Sequence, residues 1–377
     1  MRSAVIVRPE PHLHRRRQCR VVSVHLVHFV VRDNLSGRIG NLIILLTVFE
    51  TLFPMSDASE ATPALPVPHY GILKGPNGLR AGWRLLIFFA ILLPLYYGVS
   101  GSVDALIRRT HADFSTPLNV VFSIDLLVLP LLIATWIMGR IERRTFADFG
   151  LPWRRAFGRR FWQGACFSFV SMSLLFVTMR LAGVFSFGAI ALHGWDVWKY
   201  AAAWAVLLFL GALLEDFLYR GYLLFTLTTG IGFWPAAIVT SLLMGGLHYF
   251  NPSGHGLGPV SATMYCLVTC LVLRRTGDLW MPLGIHAAWA WAEVYFYGVP
   301  DSGYPANGHL FNASFHGNPW LTGGGFGPEA SIFTLVLLAI WGVIFSLWLR
   351  GVRYPNPAAV QRPQGGSPTE GTTAQKL

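Results

Sequence analysis

From residue 82 onward the chain is a succession of eight apolar segments, at roughly 82–100, 117–138, 160–185, 198–228, 233–250, 257–274, 278–297 and 331–350. Each is long enough, or nearly so, to cross a bilayer as a helix, which takes about 20 residues at ~1.5 Å apiece. Lipid offers no water to backbone N–H and C=O groups, so only helices and closed barrels can span it. None of the runs alternates apolar and polar residues as barrel strands do. The expected fold is an all-α, polytopic membrane helical bundle of about eight transmembrane helices. Composition agrees: charged residues make up 12% of the chain, about half the ~25% of soluble domains.

The few charges sort by side. The connection after the second segment carries Arg140, Arg143, Arg144, Arg154, Arg155, Arg159 and Arg160, which marks it as cytoplasmic. Stepping through eight spans puts Lys74, Arg80, Arg84, Arg274, Arg275, Arg350 and Arg353 on the same side. The other side keeps Arg108, Arg109 and Lys199, and its long loop 298–330 has no Lys or Arg. Both the N and C termini are then cytoplasmic. The net charge of +11 reads as topology markers flanking apolar runs, so the bilayer is an expected partner and nucleic acid is not. A prokaryotic plasma (inner) membrane is the expected location. Oligomeric state is not legible.

Residues 1–54 hold eight arginines against three acids, and neither of their short apolar stretches could span a bilayer. Met55 opens a polar stretch of ordinary leader character, so translation is expected to begin there, with 1–54 a non-native upstream extension. The remaining divisions are a polar leader 55–81, N-terminal transmembrane helices 82–194 and a core 195–297. An extracytoplasmic loop 298–330, a last transmembrane helix 331–350 and a disordered cytoplasmic tail 351–377 follow. Cys19, Cys166, Cys266 and Cys270 form no CxxC pair and read as packing residues.

Ionisable side chains at membrane depth are expensive and point to function. They are Asp125, Arg180, Glu215, Asp216, Arg220, His248, His286 and Glu293. Asp125 and Arg180 stand alone in their segments and read as structural partners. Glu215 and Asp216 are adjacent, which packing does not explain. Asp216 and Arg220 are four apart, so they meet on one helix face and neutralise each other. Glu215 points ~100° away and stays free to accept a proton from water. Straight helices put Glu215 and His286 ~8–12 Å from the cytoplasmic side and His248 ~22 Å, a mismatch that helix tilt or a dipping turn at 228–232 would close.

The order Glu215-Asp216-x3-Arg220-Gly221, Met244-x3-His248, His286-x3-Ala290 resembles the CPBP family of membrane endopeptidases. That family includes the type II CAAX prenyl proteases and bacterial relatives linked to bacteriocin self-immunity. Its pattern is Glu-Glu-x3-Arg, Phe-x3-His and His-x3-Asn or Asp, and the resemblance covers about 195–295. It implies that Glu215 and His248 activate a water, that His286 and the residue four on stabilise the oxyanion, and that Asp216 and Arg220 hold the scaffold. Three positions depart from the pattern: Asp216 for Glu, Met244 for Phe, and Ala290 for Asn or Asp. The last removes a donor of a kind worth ~10²–10³ in rate. Glu293, seven residues after His286, returns to its face as site support.

The implied activity is an intramembrane endopeptidase, its site opening toward the cytoplasm, acting on a peptide or lipidated protein such as a CAAX-box protein under maturation. A catalytically silent scaffold or self-immunity protein is the alternative that Ala290 favours. Glu215, His248 and His286 are the ligands if zinc is present, but no HExxH motif accompanies them and no cofactor is the preferred reading.

Overall fold

The computed structural model describes residues 72–75, 78–110, 126–305 and 307–356. Asp125, the extension 1–54, most of the leader and the tail beyond 356 lie outside the described residues.

Each of the eight apolar segments carries a helix. They are α1 (Ala81–Thr110), α2 (Val128–Glu142), α3 (Arg159–Leu181), α4 (Trp195–Asp216), α6 (Phe233–His248), α7 (Gly258–Thr276), α8 (Trp280–Trp291) and α9 (Ile332–Trp348). A π-helical turn, Phe217–Leu223, joins α4 to α5 (Leu224–Ile231), and a second, Ala292–Tyr297, extends α8. Two short antiparallel strand pairs, Lys74–Gly75 with Gly78–Leu79 and Phe185–Ser186 with Ser314–Phe315, accompany short helical turns at Trp153–Arg155, Pro319–Thr322 and Pro328–Ala330. By length and composition Ala81–Val103, Arg159–Leu181 and Trp195–Ile231 can each cross a membrane, while Phe233–His248 and Ile332–Trp348 are shorter apolar helices. These apolar helices point to an integral membrane protein.

The loops divide between the two ends of the bundle. At one end Leu279 N–H donates to the Gly150 carbonyl, at 2.8 Å, and Arg353 N–H to that of Arg274, at 2.9 Å. This joins the arginine-rich connections. At the other end Ala191 bonds Leu310 and His316 bonds Val184 through the backbone, and Gly303 bonds Phe326. The loops 182–194, 249–257 and 298–330 that form this end contain no Lys or Arg.

Several of the arginines do more than mark a side. Glu142, buried on α2, pairs with Arg84 of α1, lies 3.4 Å from Arg144 Nε and accepts the Tyr222 hydroxyl at 2.7 Å. Asp278, also buried, accepts from Arg155 and Arg160, each at 3.1 Å. Each acid is multiply bonded, as a buried charge must be. Neither drew notice in the sequence, because each lies at a helix end, Glu142 beyond an apolar run and Asp278 at the first position of one.

Helices α3 and α8 cross with their backbones almost touching. A Cβ on Gly284 would lie 2.0 Å from the Phe161 carbonyl oxygen, and one on Gly164 would lie 2.3 Å from that of Met281. Without a hydrophobic drive between helices in lipid, such close approach is what van der Waals packing there depends on. Gly245 likewise admits Pro259 and Thr263 of α7, whereas its neighbour Gly246 faces open space. Gly284→Ala should therefore destabilise the fold by about 1–3 kcal/mol through overpacking, while Gly246→Ala should be neutral or mildly stabilising. Thermal unfolding of the two variants in detergent, read side by side, checks this.

Candidate active site

The Glu-Asp-x3-Arg-Gly stretch lies where α4 becomes π-helical. Glu215 and Asp216 end α4, and Arg220 and Gly221 lie in the wider turn. Such turns are rare and concentrate at functional sites. Gly221 is needed there because a Cβ would sit 2.6 Å from the Phe217 ring.

Asp216 and Arg220 are fully buried and paired. The Arg220 guanidinium also stacks 5.3 Å from the Tyr265 ring centre, and its Nη2 lies 3.6 Å from Met244 Sδ. Asp216 has a second partner that sequence spacing could not show. Its Oδ1 accepts the Nδ1–H of His286 at 3.0 Å. An ionised carboxylate only accepts, so Nδ1 is the protonated nitrogen, and Nε2 is turned toward Glu215 Oε2 at 3.9 Å. The Tyr265 ring packs edge-on against the imidazole, centres 5.4 Å apart. Glu215 contrasts with its neighbour: its side chain is 37% exposed, against 0% for Asp216.

His248 ends α6. Its Nδ1 donates to the Met244 carbonyl at 2.8 Å, which leaves Nε2 as a proton acceptor. The expected depth mismatch is absent. Helix α5 runs on to Ile231, and Gly232, at φ +83°, turns the chain into α6. Glu215 stands 17 residues before that glycine and His248 stands 16 after it, so two antiparallel helices bring them level ~25 Å from the turn.

Glu215, His248 and His286 line one cavity of about 430 Å³, together with Trp204, Leu208, Met244, Tyr265 and Leu338. Asn251, Asp301, Ser302 and Glu329 line it too, and sequence reasoning missed all four. They lie in loops or next to a helix start, where no periodicity marks an inward position. Tyr304 and Pro305, its exposed lining residues, place the mouth at the end whose loops lack Lys and Arg. The site was expected to open at the arginine-rich end. The longer α5 reverses that expectation, because it carries Glu215 away from that end.

Ala290, four residues after His286, is buried and does not line the cavity. Glu293 is also buried and absent from the lining. Its carboxylate instead lies within 4.8 Å of those of Asp301 and Glu329. Burial and then the Glu329 charge push Asp301 up to about 7. Burial raises Glu329 as well, against its bonds from Ser302. As for zinc, among the described residues Glu215, His248 and His286 do not bring their ligand atoms within 4.8 Å of one another as a set. These three do not fit a shared metal ion in this geometry.

The two adjacent carboxylates should respond differently to loss of charge. Asp216→Asn, which strands a buried guanidinium, is expected to cost about 3–5 kcal/mol. Glu215→Gln should stay within about 0.5 kcal/mol of wild type. Denaturation midpoints of the purified variants measure both.

No curated protein and no solved structure matches the chain. Residues 196–292, which contribute Glu215, His248, His286, Asp216 and Arg220, match the family model described as type II CAAX prenyl endopeptidase Rce1-like, and over that quarter of the chain the resemblance drawn from the motifs is borne out.

Proposed function

We propose that this protein is an intramembrane endopeptidase that hydrolyses a peptide bond of a membrane-associated or lipidated substrate. The observation that carries the reading is the convergence of Glu215, His248 and His286, from three helices, on one cavity, with His286 oriented by Asp216. Glu215 takes a proton from a cavity water, with His248 Nε2 as the second acceptor. The resulting hydroxide attacks the peptide carbonyl carbon. The oxyanion forms beside His286, whose Nε2 donates to it when the ring carries both protons and Asp216 balances the charge. Collapse breaks the C–N bond, and the departing amine takes the proton that the base removed. The apolar lining from Trp204, Leu208, Met244, Val294 and Leu338 suits an apolar or lipid-bearing segment.

Glu215→Gln and His248→Ala should each lower cleavage by ~10²–10⁴-fold while the fold persists. Proteomic comparison of cells carrying wild type and Glu215→Gln should show uncleaved membrane proteins accumulating. Full cleavage in both variants overturns the mechanism. Ala290 supports a second reading, a catalytically silent scaffold of the self-immunity kind, because alanine supplies no hydrogen-bond donor near His286. A large gain of proteolysis in Ala290→Asn would show that the native chain is catalytically impaired.

The eight helical segments, with the arginine-rich end in the cytoplasm, give eight spans with both termini inside. The compact connections fit a prokaryotic plasma membrane. On this topology the cavity mouth faces the extracytoplasmic side. In intact cells a membrane-impermeant maleimide should label Asn318→Cys and spare Arg154→Cys. The opposite pattern inverts the topology.

A further inference from the structure

We propose that Glu293, Asp301 and Glu329 form a binding site for a hard divalent cation, of the calcium, magnesium or manganese class, at the loop end of the cavity. One ligand oxygen from each of the three carboxylates lies within 4.8 Å of the others, a spacing that one ion can bridge. Glu329 is already held: Oε1 accepts the Trp289 indole N–H at 3.1 Å, and Oε2 accepts the Ser302 backbone N–H and hydroxyl at 2.8 and 2.7 Å. Glu293 has less support. It is completely buried, neither of its carboxylate oxygens has a well-aligned hydrogen-bond partner, and the nearby Trp289 indole N–H is the one already bonded to Glu329.

A buried carboxylate without partners is costly, and native proteins compensate such groups with a bound proton, a counter-charge or a metal. The adjoining loop 298–330 contains neither Lys nor Arg, and the cationic groups that act on Asp301 are the imidazoles of His286 and His248. An all-oxygen, all-carboxylate set selects hard cations over zinc or copper, which prefer nitrogen and sulfur. Asp301 and Glu329 line the cavity, so an ion and its remaining water ligands have a route in. Because Glu293 belongs to the π-helical end of α8, while Asp301 and Glu329 flank the long loop, the ion ties that loop to the bundle at the cavity mouth. The inference is independent of the peptidase reading, and its test does not measure cleavage.

Terbium, a luminescent substitute for calcium, is titrated into the full-length protein in detergent micelles above neutral pH, with excitation through tryptophan. The Trp289 indole contacts Glu329 directly and would sensitise an ion held there. Saturable luminescence is expected, displaced by calcium, magnesium or manganese. Glu293→Gln and Asp301→Asn should each weaken it by on the order of 10–100-fold, the loss that follows removal of even an outer partner of a metal. Asp301, at the cavity rim, gives a variant that leaves the packed core intact. Glu215→Gln, in the same cavity, should bind as wild type does. Absence of saturable luminescence in wild type, equal binding by Asp301→Asn, or displacement by zinc alone would each overturn the proposal.

Discussion

Asp216 is the side chain on which the rest of the site depends. A carboxylate and a guanidinium at membrane depth are each too costly alone, and their pairing one helical turn apart makes both tolerable. The same carboxylate then receives the imidazole of His286 from another helix. One buried charge thus neutralises a neighbour on its own helix and sets the rotation of a ring on α8. Glu215, one residue earlier, is left outside this arrangement, half exposed to the cavity.

That arrangement is only as accurate as the helix packing around it. Gly284 stands two residues before His286, where α3 and α8 approach most closely, and Gly245 stands three before His248, against α7. In both cases a missing side chain lets one helix lie directly on another and so fixes the depth of a nearby histidine. The π-helical turn after Asp216 has a related effect on α4. It widens the backbone locally and, with Gly221, makes room for the Phe217 ring.

The two ends of the bundle differ in chemistry. One gathers the arginines and pairs several with buried acids, Glu142 and Asp278, so that charge there both marks a side and joins helices. The other has loops without Lys or Arg, with Asp301 and Glu329 lining the cavity and the buried Glu293 close behind them. The cavity therefore runs from a neutralised, helix-bound interior to an acidic, loop-bound rim.

Sequence alone determined what is local or periodic: the eight apolar segments, the sorting of arginines, and the Asp216–Arg220 pair, because four residues make one helical turn. The order of the motifs also pointed to the family whose model matches residues 196–292. Tertiary structure decided what depends on distant chain segments meeting. It gave Asp216 its second partner 70 residues away, and it brought Glu215 and His248 level through a turn at Gly232 lying beyond the apolar run's apparent end. It also brought Asn251, Asp301 and Glu329 into the cavity from loops. Loops carry no repeat that distinguishes an inward residue from an outward one, and an exposed acid and a buried one are spelled alike. Their roles appear only once the helices have fixed where the loops must pass.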